Sequence, residues 1–163
     1  MRALNLGCGE QVVNRPGWVN ADAEPRKDGV VKADAYALPF EDGTFDLVMT
    51  NHVLEHLADV PKALAEQRRV LKPGGEVLAC IPDVDHEEEW IGAHLGEVAR
   101  LSKLGSDGAG HQHVSNMNQA GLEAALRAAG FEDVREVATT ERWELTGKMW
   151  WQAAARGRKA VLS

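Results

Sequence analysis

The chain has 163 residues, a formal charge of −7 and two cysteines. That length suffices for one compact domain with a real core, and the acidic balance argues against a general nucleic-acid binder. Two thiols make no disulfide framework, no apolar run approaches the roughly 20 residues of a membrane helix, and Met1-Arg2 leads into a predicted strand with no signal peptide before it, so a soluble, cytoplasmic, single-domain chain over residues 1–163 is expected.

Apolar runs of strand length recur at Ala3–Leu6, Trp18–Asn20, Val30–Val31, Phe45–Met49 and Glu76–Ile81. Several lack period-two alternation, which suits strands buried on both faces of a parallel sheet. Asp59-Val60-Pro61 reads as a helix start, with a capping acid and a proline in the first turn. Val60, Leu64 and Leu71 then share a face, and Lys72-Pro73-Gly74-Gly75 stops the helix. A further helix is expected over Glu87–Leu104, followed by a glycine-rich stretch ending in His111-Gln112-His113. Residues 84–117 are thus expected to form a substrate-facing insertion. Asn118 caps another predicted helix, in which Leu122, Leu126 and Ala129 recur on one face and Gly130 ends the run. Glu132–Val137 and Glu144–Ala154 read as two late strands, with an antiparallel pairing open to them, and the basic run Arg156-Gly157-Arg158-Lys159 as a solvated terminus. Strand–helix alternation of this kind predicts an α/β fold: a doubly wound, mostly parallel sheet with helices on both faces.

Ligands in such sheets bind beyond the carboxyl ends of the strands, near the point where strand order reverses. Gly7-Cys8-Gly9 follows the first predicted strand, and its two glycines let the backbone turn sharply and approach a ligand. The dinucleotide spacing Gly-x-Gly-x-x-Gly fails, since its third glycine falls at Val12. Asp22 ends the second run, 13 residues after Gly9, and can accept hydrogen bonds from vicinal ribose hydroxyls. Asp34 ends the third and can take one from an adenine amino group. Separately, such acids are ordinary turn formers; together, at three successive strand ends, they describe a nucleoside pocket without a phosphate grip.

LNLGCG, Asp22, KADAYALPFEDGTFDLVMTNHVLEHL and RRVLKPGGEVLACIPD resemble the class I S-adenosylmethionine-dependent methyltransferases, specifically the small type 11 group. The resemblance runs over residues 3–83 and resumes at GLEAALRAAGF. It implies a Rossmann-like methyltransferase fold using S-adenosyl-L-methionine and releasing S-adenosyl-L-homocysteine. It also implies Gly7, Cys8 and Gly9 against the methionine part of the cofactor, Asp22 on the ribose, Asp34 and Ala35 on the adenine, and Asn51 and His52 at the reactive end. Gln11 stands where the family usually has a third small residue. Only Cys8–Gly17, ten residues, remain between the first two strands, so the first crossover helix is shortened to little more than a turn. The chain starts at its first strand, without the N-terminal helices that close many such sites. An open pocket follows, to be completed by residues 84–117 or by a second subunit, which leaves a homodimer open.

Methyl transfer needs a base only if the nucleophile must lose a proton. No catalytic residue is assigned; the candidates are His111, His113 and His52. His56 reads as helix packing or local hydrogen bonding. His111 and His113, two apart, could ligate a metal from an extended segment, but no further ligand stands at a convincing spacing, so no metal is expected. Glu87, Glu88 and Glu89 read as a charged helix face, and Trp90, Trp143, Trp150 and Trp151 as core or interface packing. The reading is a methyltransferase acting on a small-molecule acceptor, with no membrane and no nucleic-acid partner. Two rivals are a cofactor-binding module that is inactive alone and completes a partner, and a nicotinamide-dependent oxidoreductase, which Val12 disfavours.

Overall fold

A computed structural model describes residues 1–86, 113–137 and 152–161. Seven strands, β1 (Ala3–Leu6), β2 (Trp18–Asp22), β3 (Val31–Lys32), β4 (Phe45–Asn51), β5 (Leu71–Pro82), β6 (Phe131–Glu136) and β7 (Gln152–Lys159), make one sheet in the order β3-β2-β1-β4-β5-β7-β6. The first five run parallel, and β7 runs antiparallel to both β5 and β6. β1 is buried at all four positions, as its continuous apolar run requires of a central strand.

Two helices are described, α1 (Val60–Val70) and α2 (Gln119–Ala128). The Asp59 carboxylate caps α1 by accepting from the Lys62 N–H at 3.0 Å, and the Asn118 side chain caps α2 by accepting from the Gly121 N–H at 2.9 Å. Each cap satisfies a backbone donor the helix cannot, which stabilises it by about 1 kcal/mol. Leu64 of α1 and Leu122 and Leu126 of α2 bury against Leu4, Leu6, Val48, Val77 and Ile81 in one cluster. Alternate residues of the same strands, Ala3, Leu47, Met49, Leu78, Cys80 and Ala154, form a second cluster on the opposite face. Both described helices therefore lie on one face. On the other, Val13 of the β1–β2 connection and Trp18 at the start of β2 pack against that second cluster.

Helix α1 ends at Val70, and Leu71 is already extended. Between the pairs Phe45–Leu71 and Leu47–Glu76 the register shifts, so the Lys72–Gly75 segment bulges from the ladder. The Lys72–Gly75 segment, expected to stop the helix, lies inside β5 instead, because the helix has already ended one residue before Leu71. The end of the chain corrects one expectation, that the basic run is a solvated terminus. The last described strand is Gln152–Lys159, which takes in the end of the expected Glu144–Ala154 strand, whose earlier residues lie outside the described ones, and runs on through the basic run. Arg156 and Arg158 lie 3.3 and 3.4 Å from the Glu76 carboxylate, and Lys159 Nζ donates to the Leu71 carbonyl at 2.6 Å. Opposing charge on β5 thus draws the run into the sheet. Gly157 is required there, because a Cβ would stand 2.9 Å from that of Phe131. The expected helix at Glu87–Leu104, its acidic run, the glycine-rich stretch, His111 and the four later tryptophans lie outside the described residues.

Candidate active site

Strand order reverses between β1 and β4, and the segments leaving the carboxyl ends of β1 to β4 surround a cleft of about 460 Å³, within the range of small-molecule sites. Gly7 and Gly9 enter from β1, Asp22, Glu24 and Arg26 from β2, and Asp34 and Ala35 from β3. His52, Val53 and His56 enter from β4, and Leu6, Ala33 and Leu57 add apolar wall.

The crossover from β1 to β2 contains no helix, and side-chain amides hold it instead. Asn20 of β2 accepts from the Val13 N–H at 2.8 Å and donates to the Val13 carbonyl at 3.2 Å, pairing both polar groups of one residue. Asn5 of β1, 3% exposed, donates to Asn20 Oδ1 at 3.0 Å and to the Gln11 carbonyl at 2.9 Å. These bonds satisfy backbone groups that a crossover helix would have paired internally. Asp22 fixes the turn from the other side: its carboxylate accepts from the Gly9 N–H and the Glu24 N–H, each at 2.8 Å. Gly7 and Gly9 both have positive φ, +68° and +49°. A Cβ on Gly7 would overlap Val53 Cγ2, whereas one on Gly9 would find nothing within 4 Å.

At the next strand end, Asp34 Oδ1 accepts from the Tyr36 N–H at 2.8 Å, a turn formed by the side chain. Two expected residues do not line the cleft. The Cys8 thiol is buried, and burial pushes its pKa up with the Asp22 carboxylate adding to the effect. Asn51 is the last residue of β4, half-buried and paired in register with Cys80. His52, at φ +54°, is aimed by the fold. Its Nε2 lies 2.5 Å from Gln152 Nε2, and its Nδ1 lies 3.1 Å from Glu55 Oε1. His113 does not reach the cleft; its ring meets that of His56 edge to face, centroids 4.9 Å apart.

Glu24, Arg26, Glu55, Asn5 and Asn20 escaped the reading of the sequence. Glu55 had a signal: it stands next to His56 in the LEHL stretch. The two asparagines had one as well, as the polar residues inside apolar strand runs.

Residues 4–79 match the family model described as "Methyltransferase domain", of the type 11 group. Over those residues the chain is similar to this class I methyltransferase family. A demethylmenaquinone methyltransferase of Clavibacter sepedonicus is 36% identical over 114 residues, which are 64% of this chain and 46% of that protein. The crystal structure of a SAM-dependent methyltransferase from Thermotoga maritima superposes with a TM-score of 0.65 at 21% identity, covering 97% of this chain and 81% of that one. A phosphoethanolamine N-methyltransferase of Haemonchus contortus, solved in complex with S-adenosyl-L-methionine, gives 0.59 at 18% identity, covering 98% and 48%. These structures share the fold. The chain spans less than half the length of the curated relatives it matches.

Proposed function

We propose that this methyltransferase domain binds S-adenosyl-L-methionine in the cleft and transfers its methyl group to a small-molecule acceptor. The observation that carries the reading is the convergence of Gly7 and Gly9, Asp22, and Asp34 from three adjacent parallel strand ends on one cleft. The donor set suits that cofactor. Gly9 leaves open space where a side chain would stand, two carboxylates offer acceptors to hydroxyl and amino groups, and the flanking Leu6, Ala33 and Ala35 are apolar.

In this reading Gly7 and Gly9 present backbone to the methionine part, Asp22 takes the ribose hydroxyls, and Asp34 with Ala35 takes the adenine. His52 stands at the reactive end. When bound, the cofactor supplies a methyl group already activated by its sulfonium, which leaves positioning to the protein. His52, with both ring nitrogens engaged, acts as an oriented wall. Exclusion of a dinucleotide has a structural support too: no helix follows Gly9, so no helix N-terminus meets a pyrophosphate.

The test is calorimetric titration with S-adenosyl-L-homocysteine and with NAD, followed by turnover of S-adenosyl-L-methionine against a panel of small acceptors. Binding of the homocysteine product without NAD binding, and turnover with at least one acceptor, is expected. NAD binding in its place would overturn the assignment.

A further inference from the structure

Beside the cleft, one ligating atom each of Glu55, His56 and His113 lies within 4.8 Å of the others. We propose that these three residues form a site for a divalent transition-metal ion of the zinc class. Nothing in the methyl-transfer reading uses or requires such a site, and the inference stands apart from it.

Glu55 is the first ground. Its side chain is 2% exposed, and neither carboxylate oxygen makes a hydrogen bond of acceptable geometry. His52 Nδ1 lies 3.1 Å and His56 Nε2 4.0 Å from its Oε1. Burying a carboxylate without hydrogen bonds is costly, so such a group calls for a compensating cation. A metal ion bound between it and the two imidazoles supplies one.

The backbone is the second ground, because it holds the two halves of the site together without help from the ligating atoms. Glu55 and His56 lie on a 3-10 turn, Leu54–His56, and His113 lies 57 residues further along the chain. The Val114 and Ser115 N–H groups both donate to the Glu55 carbonyl, at 2.8 and 3.0 Å, and Ser115 Oγ donates to the Leu57 carbonyl at 2.6 Å. Residue 113 is therefore delivered to the turn by main-chain geometry. Donors on a tetrahedral zinc stand about 3.3 Å apart for bonds of about 2.0 Å, so the 4.0 Å between His56 Nε2 and Glu55 Oε1 closes with small side-chain adjustments.

Donor chemistry selects the ion. Two imidazoles and one carboxylate suit zinc and its transition-metal neighbours, whereas magnesium and calcium prefer all-oxygen shells. Three protein donors leave a fourth position for water or an oxygen-bearing ligand. Since His56 also lines the cleft, that position adjoins the cleft.

The experiment uses untagged full-length protein stripped with chelator, then equilibrated with zinc and assayed by equilibrium dialysis. One zinc per chain is expected, with affinity at least tenfold weaker in Glu55→Gln and in His113→Gln and unchanged in the control Glu132→Gln, an exposed residue of β6. Circular dichroism confirms folding of each variant. Should buried Glu55 not tolerate substitution, the cobalt-loaded native protein decides: visible bands of a four-coordinate nitrogen–oxygen site, without thiolate charge transfer, are expected. Failure to hold zinc, retention of zinc by folded His113→Gln, or a thiolate signature from the buried cysteines would each overturn the site.

Discussion

The Asp22 carboxylate accepts the Gly9 N–H at 2.8 Å, so the acid at the end of β2 shapes the glycine turn at the end of β1. The same carboxylate accepts from the Glu24 N–H. Each oxygen keeps a further lone pair for a ligand hydroxyl. Asp22 thus carries two duties, a structural one and the proposed ribose contact, and they separate by measurement. Asp22→Ala should weaken S-adenosyl-L-homocysteine binding by about 1–3 kcal/mol, and Asp22→Asn, which keeps one acceptor, should lose less. Equal affinity for the native protein and Asp22→Ala in calorimetry would remove Asp22 from the binding site.

The two glycines of the turn should respond differently to a methyl group. Gly7→Ala combines a positive φ with overlap of Val53 Cγ2, a cost of about 2–4 kcal/mol in stability. Gly9→Ala meets no neighbouring atom and bears only the left-handed backbone, about 1 kcal/mol; its methyl group would enter the cleft and reduce cofactor binding. Denaturant unfolding of both variants checks the order. Adding Val53→Ala should recover part of the Gly7→Ala loss and none of the Gly9→Ala loss.

Asn20 replaces a helix, and its removal should show it. Asn20→Ala breaks the paired bonds to Val13 and leaves Asn5, buried in β1, without one acceptor. About 1–3 kcal/mol of stability should go. Asn20→Asp keeps the acceptor for Asn5 and for the Val13 N–H but cannot donate to the Val13 carbonyl, and should fall between. Chemical denaturation of the three proteins would sink the clamp if Asn20→Ala unfolded at the native midpoint.

What the sequence disclosed and what it hid follow from the same physics. ALNL and FDLVMTN are apolar enough to be central strands wherever the chain goes, so β1 and β4 were readable locally, as were the Asp59 and Asn118 caps. The strand QAAARGRK was not. Its small residues carry little strand preference of their own, and its arginines become strand residues only because Glu76 lies on the neighbouring strand. Gly7, Gly9, Asp22 and Asp34 were readable as strand-end residues facing a cleft because strand ends are marked by punctuation in the chain. Glu55 near His113, or Asn5 on Asn20, depends on contacts between distant segments that no local pattern records.

The LPFED segment is held by Arg69 of α1, and this arrangement predicts a pH dependence. Arg69 donates to the carbonyls of Leu38 and Phe40 at 3.0 and 2.8 Å and grips Glu66 through two bonds of 2.8 and 2.9 Å. Glu66 Oε2 also accepts the Leu38 N–H at 2.8 Å. The Arg69 guanidinium, helped by that N–H, holds the Glu66 carboxyl below its ordinary value of 4.5, against the opposing effect of burial. A carboxyl whose pKa falls on folding stabilises the native state in full above its unfolded value, and that contribution is lost as pH drops through the folded value. Glu66→Gln should therefore cost about 1.5–3 kcal/mol at pH 7. The difference from the native protein should shrink below about pH 4.5 and nearly vanish once Glu66 is protonated in both states. Urea unfolding of both proteins from pH 7 to pH 3 measures it, and a difference that stays constant across that range would show that the Arg69 clamp works without the Glu66 charge.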